Sequence, residues 1–254
     1  MRSVRIRRVT DVCLDPRRAG GVVLAYHDVV PNDMRPGKWN VHIASLKRDI
    51  RMLRLSGFRF VPLSDLVDRT RTGLSTAGLA AVTFDDAIIG VRELAVPFLI
   101  QEAVPATIFV VTQAHGTTPS WWEARRTLRV AELQDLVLSN GITLAPHGRT
   151  HRALTGLEQA LLDEEIAGSK HDIELLTGRP AAIFAYPFGE YDAAAADAVR
   201  RAGMHAAFGF RNGRIAPTSD LFSLPRMTMS DSPSQQLRLM YWLLRSRRSW
   251  HSTA

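Results

Sequence analysis

A chain of 254 residues that is 46% hydrophobic and 22% charged fits one large α/β domain with a sizeable core. Its +7 formal charge gathers in arginines at both ends, with no recognition helix, zinc-finger spacing or aromatic RNA-binding motif beside them, which speaks against a nucleic-acid partner. One cysteine, Cys13, excludes an intramolecular disulfide framework, and without a signal-peptide h-region or membrane-spanning run the expected location is the cytoplasm.

In chain order, a basic lead-in over 1–20 precedes a buried strand, Gly21–Tyr26. Apolar residues at helical spacing predict a helix over Ile43–Ser56, ended by Gly57. The run "FRFV" reads as a short strand, and Ser64 as the cap of a second helix. Strand "LAAVTF", helix Val91–Ala103 and strand "ATIFVV" follow. A loop with Trp121 and Trp122 leads to a helix over Val130–Ser139 and the strand "ITLA". A long helix over Thr155–Thr177, strand "AAIFAY" and helix Ala193–Ala202 come next. The late strands are "HAAFGF" and "FSLPRMTM", and Ser232 or Ser234 caps a last basic, amphipathic helix within 231–254. Alternating strands and helices predict a mostly parallel, helix-covered sheet, open or closed into a barrel, with its chemistry at the carboxyl ends of the strands.

Four stretches fall at such ends: Tyr26-His27, Asp85-Asp86, His147 to His151, and Tyr186 to Gly189. His147 and His151 have the i, i+4 spacing that lets two imidazoles approach one cation. With a strand-end carboxylate they make a candidate two-His, one-carboxylate metal site. Adjacent residues leaving a strand point different ways, so Asp86 ligates while Asp85 faces a water, or the reverse.

These motifs resemble those of the polysaccharide deacetylases with the NodB homology domain, carbohydrate esterase family 4. Thr83-Phe84-Asp85-Asp86 is similar to its first motif, with Ala87 in place of the usual glycine. His147 and His151 match the second, and Pro187, Phe188 and Gly189 in "FAYPFGEY" match the third. The resemblance covers roughly 21–230. It implies a distorted, incomplete (β/α) barrel, one divalent ion, usually zinc, and removal of an acetyl group from an amino sugar or glycan precursor. By position it implies Asp86, His147 and His151 as metal ligands and Asp85 as general base, with Tyr186, Pro187, Phe188 and Gly189 beside the substrate.

Two departures stand out. The arginine that opens the third motif, which orients the base, is Ala185 here, and Arg226 in "LPRMTM" is the candidate replacement. The histidine that usually protonates the leaving amine is missing from "LPRMTMSDS", and His27 is the substitute candidate, as acid or as a further metal contact. Trp121 and Trp122 are candidates for stacking on a sugar ring, and the basic, apolar tail for contact with anionic membrane. Competing readings are a hydrolase of non-sugar amides, a catalytically silent glycan-binding domain, and an Fe(II) oxygenase, against which the β/α order argues.

Overall fold

The computed structural model describes residues 20–121 and 125–232. Apolar runs become strands buried on both faces: β1 (Val22–Tyr26), β5 (Leu79–Phe84) and β6 (Ala106–Val110) are buried at every position. With β7 (Ile142–Pro146) and β10 (Met227–Thr228) they form a parallel sheet in the order β10-β1-β5-β6-β7, and β4 (Arg59–Phe60) pairs with the start of β5. A parallel pair, β8 (Ile183–Ala185) and β9 (Ala206–Phe208), continues the curve beyond β7. Backbone bonds from Leu224 to Ala207 and from Met229 to Ala25 carry the chain from β9 through β10 back to β1. Among the described residues no ladder joins β7 to β8, so the ring stays open there: it is the incomplete barrel that the motifs implied.

Strand alternation sorts the core into layers. Leu24, Val82, Ile108 and Leu144 face an outer layer under the helices α1 (Ile43–Leu55), α3 (Val96–Gln101) and α4 (Val130–Val137). Val23, Ala81, Phe109, Ala145, Ala185 and Phe208 fill the interior, where alanines leave room for two phenylalanines. A third layer, including Phe184 and Tyr186, lies against α5 (Gln159–Thr177) and α6 (Ala193–Arg201).

Several boundaries differ from the sequence expectation. Helix α2 spans Leu63–Arg71 with Pro62, not Ser64, at the cap position, because Val61 is still bonded to the sheet through Ala80. The helix expected over 91–103 opens with a π-helical turn, Val91–Ala95, since Pro97 has no N–H for the regular ladder. Helix α5 starts at Gln159 rather than Thr155, after a turn in which Gly156 has φ +71°. The strand expected over 222–229 shrinks to Met227–Thr228, Pro225 having no donor to offer a ladder. A short pair, β2 (Asp28–Val30) with β3 (Asn40–His42), had no sequence signal. Among the described residues no helix is long and apolar enough to cross a membrane. The basic tail helix capped by Ser232 or Ser234, and most of the basic lead-in, lie outside the described residues.

Candidate active site

The strands that build the site are parallel, so their carboxyl ends share one rim, and alternation decides which residues turn inward there. Leu79 and Ala81 of β5 face the interior, and the same parity carries Thr83 and Asp85 inward. In β7, Ala145 faces inward and His147 follows in phase. In β10, Met227 belongs to the outer layer, which turns Arg226 inside. Asp86 and His151 are reached differently, through backbones at φ +66° and +61°. Left-handed backbone is costly for non-glycine residues and gathers at functional sites. Ala87, in the place of the usual glycine, also sits there at φ +51°.

Arg226 and Asp85 are both fully buried and meet fork to fork, Nη1 donating to Oδ1 at 2.6 Å and Nη2 to Oδ2 at 2.9 Å. Nη1 also reaches Thr83 Oγ1 at 3.3 Å, and the guanidinium lies between the rings of Phe109 and Phe210, 5.1 and 4.7 Å away. Burial alone drives the Asp85 carboxyl upward, but the charge and hydrogen bonds of Arg226 outweigh it, with a further lowering from His147 when that ring is protonated, and bring it down to about 2. Asp85 is therefore an anion at neutral pH.

Asp86 differs. Burial, and then the neighbouring Asp85 charge, push its carboxyl well above the usual range. Its Oδ1 is buried with no hydrogen-bond partner, 3.2 Å from His151 Nε2 and 3.8 Å from His147 Nε2. One ligand atom each from Asp86, His147 and His151 fall within 4.8 Å of one another. Burial holds both imidazoles in their neutral, lone-pair form: His147 is lowered, and His151, also opposed by His147, falls to about 2. His147 Nδ1 bonds the Ala185 carbonyl at 2.8 Å, which leaves Nε2 facing the carboxylates. An unpartnered carboxylate oxygen facing two neutral imidazoles fits a divalent cation.

A cavity of about 300 Å³ opens over these groups, and His27, Trp39, Trp121, Phe188, Glu190 and Phe210 complete its walls. The His151 ring has Trp121 stacked on it at 4.4 Å and Phe188 near it at 4.5 Å. The indole of Trp121 also lies beside the Asp86 carboxylate and opposes its upward shift. His27 is tilted against Trp39 and Phe210, and burial lowers it to about 4. Trp122 lies outside the described residues.

Three of the third-motif residues are not in the cavity wall. Tyr186 has the opposite parity to Ala185, so it is fully buried in the layer under α5 and α6, its hydroxyl donating to the Phe222 carbonyl. Pro187 is buried beside Gly148. Gly189, at φ +70°, packs so closely on Phe210 that a Cβ would lie 2.6 Å from its backbone nitrogen. These three shape the loop that presents Phe188. Sequence reasoning missed Trp39, Glu190 and Phe210. Phe210 was within reach, being in phase with inward Phe208, whereas nothing local marked Trp39 or Glu190.

A polysaccharide deacetylase family model matches residues 74–207, a span holding Asp85, Asp86, His147 and His151. YxkH of Bacillus subtilis, a protein named for the same family, is 24% identical over 153 residues, or 60% of this chain, and the match spans only 52% of its own length. The poly-beta-1,6-N-acetyl-D-glucosamine N-deacetylase of Staphylococcus epidermidis is 20% identical over 78% of this chain and 71% of its own. Among solved structures, IcaB of Ammonifex degensii superposes with a TM-score of 0.79 at 22% identity, covering 89% of this chain and 97% of that one. The Streptococcus pyogenes deacetylase PplD, solved with acetate, gives a TM-score of 0.73 at 20% identity over 87% and 98%. At such identities the solved structures speak for the fold. The family model spans more than half of the chain, and the chain belongs to the polysaccharide deacetylase family.

Proposed function

We propose that this protein hydrolyses the N-acetyl group of an amino sugar within a glycan or glycan precursor, with one divalent cation, zinc by donor chemistry, held by Asp86, His147 and His151. The observation that carries the reading is the contrast between two adjacent carboxylates. Asp85 is fixed as an anion by Arg226, while the oxygen of Asp86 is left unpartnered before two neutral imidazoles. When bound, the cation polarises the acetyl carbonyl and acidifies water.

The chain's own residues do the rest. Asp85 takes a proton from the attacking water as the carbonyl carbon is attacked. Arg226 holds that carboxylate in one orientation and keeps it from taking a proton early. When the carbon–nitrogen bond breaks, Asp85 returns the proton to the departing amine, giving acetate and a free amino sugar. His27, neutral at its lowered pKa, positions the substrate in this scheme rather than donating a resting proton. Trp39 and Phe188, both partly exposed at the cavity, offer aromatic faces to the sugar.

The test is mass spectrometry of N-acetylated sugars and their oligomers after incubation with metal-loaded protein. Free acetate and the matching mass loss per site support the proposal. Another acid released from non-sugar amides, or binding without any product, would overturn the substrate assignment.

A further inference from the structure

The segment between the two histidines is held from one side by a single buried carboxylate. Glu165 of α5 is 2% exposed, and its Oε2 accepts from the backbone N–H of Arg149 at 2.8 Å and of Thr150 at 3.0 Å. Its Oε1 accepts from the Thr150 hydroxyl at 2.5 Å and lies 3.2 Å from Arg152 Nε. Both oxygens are therefore spent on residues 149–152, a stretch that begins two positions after His147 and contains His151.

Two glycines make this approach possible. A Cβ on Gly148 would lie 3.1 Å from Glu165 Oε2. A Cβ on Gly168, one turn along α5, would lie 2.7 Å from Arg149 Nε. The Arg149 side chain crosses the helix at that gap and forks onto Asp172, with two contacts at 3.0 Å. Glu165, Gly168 and Asp172 thus line one face of α5, at positions i, i+3 and i+7, against the histidine loop. On the loop's other side, Thr112 and Gln113 donate to the carbonyls of Gly148 and Arg149.

We infer that Glu165 is a positioning residue for the cation site: it clamps residues 149–150 so that His151 keeps its left-handed backbone and its Nε2 faces Asp86. The inference rests on the cation reading proposed above. Neither histidine is touched by Glu165 in the contacts described, so it acts through the loop backbone. Carboxylates that fix a ligand from outside the ligand shell commonly change metal affinity ~10–100-fold when removed.

The probe is Co²⁺, titrated into the full-length protein and followed by visible absorption, with melting temperature measured alongside. Glu165→Ala is expected to weaken Co²⁺ binding ~10–100-fold and alter the absorption bands. Glu165→Gln should recover part of the affinity, because its amide carbonyl still accepts from the two backbone N–H groups. Leu162→Ala, a core change one turn earlier on α5, should lower the melting temperature and leave Co²⁺ affinity unchanged. Should Glu165→Ala fail to fold, Thr150→Val removes the hydroxyl's bonds to Glu165 and Arg152, keeps the two backbone bonds to Glu165, and is expected to weaken binding roughly 2–10-fold. Wild-type affinity in Glu165→Ala or Thr150→Val, or a loss no larger than that of Leu162→Ala, overturns the assignment to Glu165 alone. A wild-type protein that binds no Co²⁺ overturns the cation reading, and this inference with it.

Discussion

Arg226 and Asp85 lie 141 residues apart in the chain and form a two-pronged ion pair in which neither side chain reaches solvent. Removing one partner of such a buried pair leaves the other charge uncompensated, at a cost of about 3–5 kcal/mol. Arg226→Met should therefore lower the melting temperature and let burial lift the Asp85 carboxyl. The acidic limb of the pH–rate profile then moves upward. Stability carries the same sign. In the native protein Asp85 sits at about 2, below its unfolded value, so its contribution is present above about pH 4 and fades as pH falls through about 2. In Arg226→Met that contribution disappears. Thermal unfolding of metal-free protein across a pH series, read with pH–rate curves, checks both.

The two adjacent acids should separate under substitution. Asp85→Asn keeps the shape, loses the base and lowers activity ~10²–10⁴-fold while metal content stays near wild type. Asp86→Asn exchanges an anionic donor for a weak neutral one, so metal and activity drop together and excess metal restores part of each. Elemental analysis beside acetate release decides. An ion lost from Asp85→Asn and kept in Asp86→Asn would reverse the two roles.

Trp39 lines the cavity, is 37% exposed and touches no ligand residue in the contacts described. Trp39→Ala should raise KM for N-acetyl oligosaccharides several-fold, since an exposed aromatic contact is worth about 1 kcal/mol, with metal content unchanged. If kcat falls instead and KM holds, Trp39 serves the reacting centre rather than sugar binding.

The motif match places Gly189 beside the substrate, and in the structure it packs against Phe210. Gly189→Ala puts a methyl group 2.6 Å from the Phe210 backbone, at a φ of +70° that disfavours alanine. Overpacking and the left-handed backbone together cost about 2–4 kcal/mol. The melting temperature should fall by roughly 5–15 °C. Because Phe210 also backs Arg226, the Asp85-dependent limb of the pH–rate profile should shift as well. A variant with wild-type stability would show that this loop yields easily.

Which strand ends carry chemistry is legible in residue type and order alone, whereas which of Asp85 and Asp86 turns inward there is not. With the strand bounds known from the structure, period-two alternation carries Thr83 and Asp85 inward after Ala81 and His147 after Ala145, and it sends Tyr186, which the motif match places beside the substrate, away from the cavity. Carboxylate next to carboxylate, and two histidines four apart, were legible because that chemistry is written in residue type and spacing. The remainder comes from contacts between elements far apart in the chain. Arg226 reaches Asp85 because β10 pairs with β1, and β1 with β5, a register no local pattern contains. Asp86 and His151 depend on left-handed backbones, which even these comparatively tolerant residue types adopt only in a minority of cases and which no local pattern announces. The clamp of Glu165 on the histidine loop, and the place of Trp39 and Phe210 in the cavity wall, arise from packing between elements distant in sequence. Such packing energy is summed over the whole fold, so no short stretch of sequence records it.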